Sequence, residues 1–224
     1  MPLPQIALPV SRGIRRPPPI RLNRGPNFAI CLGVLLLERW LPVVAVLAIY
    51  VVRMAELGAR RDTIPGPVRE RWTLRLFMLA GTLMIVGGSG EYFFRAGNFE
   101  WFGFVVGGAC GVASFAIRRS AIRALGRFWS LHVEIRETHQ IVREGPFRWV
   151  RHPVYFSMIL ELLSAGFILH AWATLGVVSV IFVPALCWRV RIEELALVEK
   201  FGAIYQAYQA TTPAVLPYKF PKNS

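Results

Sequence analysis

Long apolar runs broken by short polar stretches set the outline of this chain, and no period-two alternation competes with them. The runs cover residues 28 to 52, Trp72 to Phe94, Trp101 to Ile117, Pro153 to His170 and Ala171 to Trp188. Runs of about 17–25 apolar residues are what a membrane-crossing helix needs. The link Arg95 to Glu100 is short, so the second and third runs form an antiparallel hairpin, with Arg75 snorkelling at one end. The junction near His170 is shorter still and brings the chain back to the side it left.

The first run carries Glu38, Arg39 and Pro42, two charges and a helix breaker near mid-membrane. A single tilted span and a re-entrant hairpin turning near Glu38 to Pro42 both satisfy this pattern, and the side of the N-terminus stays open. Gly103, Gly107 and Gly111 recur every fourth residue and predict a flat face for helix packing. The glycine-rich string Val86 to Glu91 resembles a nucleotide-cradling loop, but it lies inside an apolar run, where no strand precedes it. After the last run, Leu195, Val198, Phe201, Tyr205 and Tyr208 recur at three- and four-residue spacing, which predicts an amphipathic helix on the membrane surface or over a pocket.

Composition agrees with the pattern: 54% of the 224 residues are hydrophobic and 17% charged, beyond the range of soluble domains. The net charge of +13 is nearly all arginine, since Lys200, Lys219 and Lys222 are the only lysines among 26 basic residues. The arginines fall between apolar runs, where the positive-inside rule accounts for them without nucleic acid. That rule places Arg53 to Arg71 and Arg118 to Arg151 in the cytoplasm, so the polar stretches around His152 and Glu193 meet on one membrane face. Cys31, Cys110 and Cys187 are too dispersed for a disulfide framework or a metal site. The expected fold is an all-α integral membrane protein of about five transmembrane helices. Residues 1–27 form a basic disordered tail, 28–117 the N-terminal membrane helices, and 118–224 a catalytic half with a cytosolic cofactor pocket and amphipathic helix.

Three strings carry candidate chemistry: Thr138-His139-Gln140-Ile141-Val142, Gly145-Pro146-Phe147, and Arg151-His152-Pro153-x-Tyr155. Pro153 opens an apolar helix, because its fixed φ and missing N–H suit a first helical position. Further on stand Arg189-x-x-x-Glu193-Glu194, Phe201-Gly202-x-x-Tyr205-x-x-Tyr208 and Thr212-Pro213-x-x-Leu216-Pro217, with Leu125 to Ser130 as a weaker element. Together, and in this order, they resemble the signature of the isoprenylcysteine carboxyl methyltransferase and phospholipid methyltransferase superfamily, over roughly the C-terminal half. Phe147 stands where that family usually has tyrosine, and Ser157 where glycine is common.

The resemblance implies an integral membrane enzyme that uses S-adenosylmethionine without a Rossmann domain and takes a lipophilic substrate from the bilayer. By position, it assigns cofactor contacts to His132, His139, Gln140, Ile141, Val142, Phe147, His152, Pro153, Val154, Tyr155, Glu193 and Glu194. Free N–H groups at the helix start near His152 would suit the cofactor carboxylate. Arg189 would hold the acceptor, with Arg189 and Tyr155 as the catalytic pair and no metal involved. Methyl transfer is an in-line displacement at a sulfonium, which needs alignment and a site tolerant of positive charge. An arginine beside the site favours a carboxylate acceptor, already ionised at neutral pH, over an ammonium that must first lose a proton. The arginine-rich, lysine-poor composition points to a bacterial inner membrane, with the site facing the cytoplasm and no nucleic-acid partner.

Other readings stay beside this one. Phospholipid N-methylation uses the same cofactor. An NADPH-dependent membrane reductase of the sterol-reductase type shares the arginine-histidine-proline-x-tyrosine turn, but it typically has asparagine and glutamate where this chain has Val154 and Met158. A non-catalytic membrane protein of the same fold would bind cofactor without turnover. Glu161, mid-helix in an apolar run, is either a functional residue or half of an interhelical pair.

Overall fold

The computed structural model describes residues 26–58, 72–95, 97–126 and 141–219, with side chains of α1 from residue 37 on except residue 57. Six helices follow one another: α1 (Pro26–Gly58), α2 (Trp72–Phe94), α3 (Trp101–Leu125), α4 (Pro153–Leu169), α5 (Trp172–Phe201) and α6 (Ala203–Thr211). A 3-10 turn, Gly145–Arg148, precedes α4. The chain divides into Met1–Leu35 and Leu36–Ser224, and everything below concerns the second unit.

The protein is an all-α membrane protein, and among the described residues three helices, α2, α3 and α5, are long and apolar enough to cross a bilayer by length and composition. At Pro153–Leu169, α4 is a shorter apolar helix that packs against α3 and α2. Valines on the outer faces, such as Val112 and Val180, are more than 70% exposed, as suits lipid contact.

No break interrupts α1 at Pro42, so the re-entrant hairpin is not what this segment forms. Arg39 lies over the ring of Phe93 at 5.7 Å, and Trp40 packs on the same ring at 4.8 Å. Phe93 belongs to the last turn of α2, so Arg39 sits at a helix end rather than at mid-membrane. Snorkelling to that level relieves the cost that made the first run ambiguous.

The glycine strip on α3 packs on α4 as its spacing predicts. A Cβ added at Gly107 would lie 2.7 Å from the carbonyl oxygen of Ser164 and 2.9 Å from the amide of Ile168, so only hydrogen fits. The Ser164 hydroxyl donates to the Gly107 carbonyl at 2.6 Å, and the Ser114 hydroxyl donates to the Ser157 carbonyl at 2.7 Å. Close backbone approach plus interhelical hydrogen bonds is the usual way helices associate where lipid removes the hydrophobic drive. Gly88, in the glycine-rich string of α2, packs against Leu169 and Ala171. From the same string, the Glu91 carboxylate accepts the amides of Ala173 and Thr174 at 3.2 and 2.8 Å, which satisfies the open start of α5.

Two helix ends differ from the sequence expectation. Polar residues 118–125 continue α3, and α5 runs without interruption through Pro184 and Arg189 to Phe201. The break falls at Gly202, whose φ of +53° needs a residue without a Cβ, and α6 starts there. The single amphipathic helix expected from Leu195 to Tyr208 is therefore the last turns of α5 plus a short α6.

Candidate functional site

The site lies where the end of α5 meets the starts of α2 and α4. Arg189, 4% exposed, is held by two hydroxyls: its Nε donates to Tyr155 Oη at 2.9 Å, and its Nη1 donates to Thr73 Oγ1 at 2.9 Å. The Tyr155 hydroxyl in turn donates to Glu193 Oε2 at 2.6 Å. Spacing of four on α5 puts Arg189 and Glu193 on one face, and Tyr155 of α4 bridges them. Stacking with His152, at 5.5 Å between centroids and 20° between planes, fixes the Tyr155 ring from one side. Phe77 of α2 packs on it at 6.4 Å from another side.

Glu194 does something different from its neighbour. Its Oε1 accepts from Arg151 Nε at 2.7 Å and lies 3.1 Å from His152 Nε2, while its Oε2 accepts from Gln209 Nε2 at 3.1 Å. Arg151 also donates to the carbonyls of Gln209, at 3.0 Å, and Thr212. Both oxygens of Glu194 are thus engaged in tying α5 and α6 to the start of α4. Glu193, with a side chain 32% exposed, is the open carboxylate of the pair.

The helix start is engaged in the same way. The amides of Arg151 and His152 donate to the carbonyls of Pro213 and Ala214, both at 2.9 Å, and the amide of Tyr155 bonds to His152. The amides of Arg151 and His152 are thus taken by the chain beyond α6. Pro153 is buried beneath this strap, and Val154 is half-buried.

Among the other expected contacts, Phe147 is buried, and its carbonyl accepts the Tyr208 hydroxyl at 2.5 Å. The Arg143 guanidinium lies 5.0 Å over the Tyr208 ring and donates to the Ile204 carbonyl at 3.0 Å. Burial pushes the Tyr208 hydroxyl up to about 12 despite the nearby Arg151 and Arg143, and burial also raises that of Tyr205. Ile141 and Val142 are half-buried in the segment leading to the 3-10 turn. His132, His139 and Gln140 lie outside the described residues.

An apolar groove opens beside this site, between α1 on one side and α2, α4 and α5 on the other. Met54, Met78, Met84 and Met158, all the methionines of the chain except Met1, line it. Phe77 and Phe182 close its inner wall, and Phe77 is the same ring that packs on Tyr155. Arg53 and Glu161 are its charged lining, beside Tyr50 and Ser164, and form an ion pair there. Arg118 joins them, donating to Glu161 Oε2 at 2.9 Å and to Glu56 Oε2 at 2.7 Å. Glu161 is therefore both groove lining and half of an interhelical pair.

Thr73, Gln209 and Arg53 were not among the residues singled out from the sequence. The one signal for Thr73 was its place at the start of an apolar helix, facing the turn where Arg189 leaves the next. For Gln209 there was none, because it acts through a strap whose docking only the fold reveals.

Residues 108–199 match the sequence model of the isoprenylcysteine carboxyl methyltransferase (ICMT) family. Among curated proteins, the chain is 31% identical over 83 residues to the uncharacterized protein YpbQ of Bacillus subtilis, covering 37% of this chain and 49% of that one. It is 28% identical over 98 residues to the cobalt-zinc-cadmium resistance protein CzcN of Cupriavidus metallidurans, covering 43% and 45%. With the protein-S-isoprenylcysteine O-methyltransferase of Schizosaccharomyces pombe it shares 27% over 103 residues, covering 45% and 44%. The chain spans about half the length of the curated relatives it matches, or less. The matches bear out the family resemblance over this segment.

Proposed function

We propose that this chain, whose residues 108–199 carry the ICMT-family pattern, is a membrane methyltransferase that uses S-adenosylmethionine to O-methylate a carboxylate on a lipophilic, isoprenylcysteine-like acceptor. The observation that carries the reading is the chain Thr73–Arg189–Tyr155–Glu193, a buried cation and a half-open carboxylate joined through one phenol. The cofactor supplies the methyl group and brings an ammonium and a sulfonium, both cationic. Glu193, together with the faces of His152 and Tyr155, is a donor set that fits those charges. Arg189 orients an anionic acceptor oxygen towards them, and a carboxylate needs no base to become nucleophilic. Tyr155, bonded to both residues, links cation and anion through one phenol. The methionine-lined groove accommodates the hydrocarbon part of the acceptor, since flexible thioethers adapt to varied apolar shapes.

On this reading the site faces the cytoplasm, and α6 with the following strap covers it. Alternative cofactor use is tested directly. Calorimetry of the detergent-purified protein with S-adenosylmethionine and with NADPH, beside Glu193→Ala, is expected to give S-adenosylmethionine binding that the variant loses. NADPH binding, or neither ligand binding to folded protein, overturns the proposal. Transfer of a labelled methyl group to a farnesylated cysteine carboxylate rather than to phosphatidylethanolamine separates O- from N-methylation.

A further inference from the structure

Along α2, α3, α4 and α5, charge gathers at the two ends. The residues between Arg75 and Glu91 on α2 are uncharged, as are those from Trp101 to Ile117 on α3 and from Trp172 to Trp188 on α5. Their outward side chains are apolar, among them Leu83, Val86, Val105, Val112, Val177 and Val180. Each stretch covers about 16 helical steps, or about 24 Å. The whole of α4, Pro153–Leu169, has the same length, and its one charge, Glu161, is mostly buried against Arg53 and Arg118.

Equal lengths would mean little if the stretches were offset, but their ends share two levels. At one end His170, which follows α4, packs edge-on against Trp172 at 5.8 Å between centroids and lies 2.6 Å from the carboxylate of Glu100, just ahead of α3. Glu91 of α2 accepts the first amides of α5 at the same level. At the other end Trp72 and Trp188 pack at 6.2 Å, and Thr73 meets Arg189. Trp101 and Trp172 at the first level, and Trp72 and Trp188 at the second, are all exposed. Exposed tryptophans mark the boundary between hydrocarbon and headgroups. Arg75, Arg119 and Arg191, also exposed, stand at or just past the second boundary, and Arg119 lies over the Phe115 ring at 5.7 Å.

Four apolar spans of one length with shared ends measure the lipid layer that surrounds them. We infer that the partner surface of this protein is a thin bilayer, with a hydrocarbon layer of about 24 Å or less, since any tilt shortens the projected span. A typical layer is about 30 Å thick. In such a membrane the protein draws the two lipid surfaces together around itself, with Arg75, Arg119 and Arg191 snorkelling to the headgroups. Tyr155 lies within one turn of the start of α4, and Arg189 follows Trp188 directly. A thin fit therefore sets these two at the edge of the hydrocarbon rather than inside it. The inference stands apart from the chemistry of the site.

The test places the full chain in nanodiscs of phosphatidylcholine whose chains carry one double bond and 14, 16, 18, 20 or 22 carbons, and reads Tm by tryptophan fluorescence. Tm is expected to be highest at 14 or 16 carbons and about 5 °C lower at 22. A maximum at 18 carbons or more, or a Tm indifferent to chain length, overturns the inference. The triple variant Arg75→Leu, Arg119→Leu, Arg191→Leu extends the apolar surface of α2, α3 and α5 by about one turn, or about 5 Å. Its maximum is expected to move to chains at least two carbons longer, and a folded variant whose maximum stays in place overturns the assignment of the boundary. Should the variant not fold, the series on the unaltered protein still decides.

Discussion

Glu193 and Glu194 are neighbours in sequence, yet their removal is expected to have opposite consequences. Glu194→Ala strips the carboxylate from Arg151, His152 and Gln209 at once, three partners on α4 and α6. Arg151 is 9% exposed and Glu194 18%, so water does little to replace the loss. Breaking a buried pair by deleting one partner costs roughly 3–5 kcal/mol. Arg151 keeps the carbonyls of Gln209 and Thr212, which lowers the expected cost to about 2–3 kcal/mol. For a chain of this size that is a fall in Tm of about 5–10 °C. Glu193→Ala removes one hydrogen bond from Tyr155, which retains Arg189, and costs about 1 kcal/mol or less. Its effect falls on cofactor binding instead. Thermal unfolding of the three proteins in one detergent, followed by calorimetry with S-adenosylmethionine, separates the two roles. Equal Tm losses, or a stable Glu194→Ala beside an unfolding Glu193→Ala, would refute this division.

Thr73→Val keeps the shape of a fully buried residue but deletes the acceptor for Arg189 Nη1. Turnover is expected to drop about ten-fold or more with cofactor affinity little changed, and Thr73→Ser to restore it; loss of cofactor binding in step with turnover would count against a positioning role. Gly107→Ala forces a methyl group against the Ser164 carbonyl and the Ile168 amide, and the overpacking costs about 1–3 kcal/mol, read as a lower Tm in detergent. The Tyr208 hydroxyl, raised to about 12 by burial, contributes stability that is full below about pH 10 and lost as pH rises towards its folded value. Tyr208→Phe lowers Tm at pH 8, where the bond to Phe147 is missing, but flattens the further fall between pH 10 and 12.

What the sequence reveals depends on whether a signal is local. The bounds of α2 follow from the apolar run itself, and Pro153 marks the start of α4 because proline suits only that position in a helix. Glycines four apart gave the α3–α4 contact, since close approach is the one thing that pattern does. The end of α5 was misread because Arg189, Arg191, Glu193 and Glu194 end the hydropathy but not the helix, which needs only backbone bonds and meets no breaker before Gly202. Arg189, Tyr155 and Glu193, expected at the site from the family pattern, do come together. Their fourth member, Thr73, comes from a distant helix. The role of Glu194 was hidden for a related reason: a paired glutamate looks the same whether it faces a pocket or a strap. Glu161 was visible as an anomaly, but its partners on α1 and α3 are fixed only by packing.

The distribution of methionine has a chemical consequence of its own. Thioethers oxidise to sulfoxides, which are polar and bulkier, and every methionine beyond the first residue borders the same apolar groove. Met84, 1% exposed, is shielded, but Met78, at 36%, stands open to peroxide. Peroxide that reaches Met78 would therefore alter the lining of this groove while leaving the carboxylates and guanidinium of the charged site unchanged, and methionine sulfoxide reductases would be what restores it.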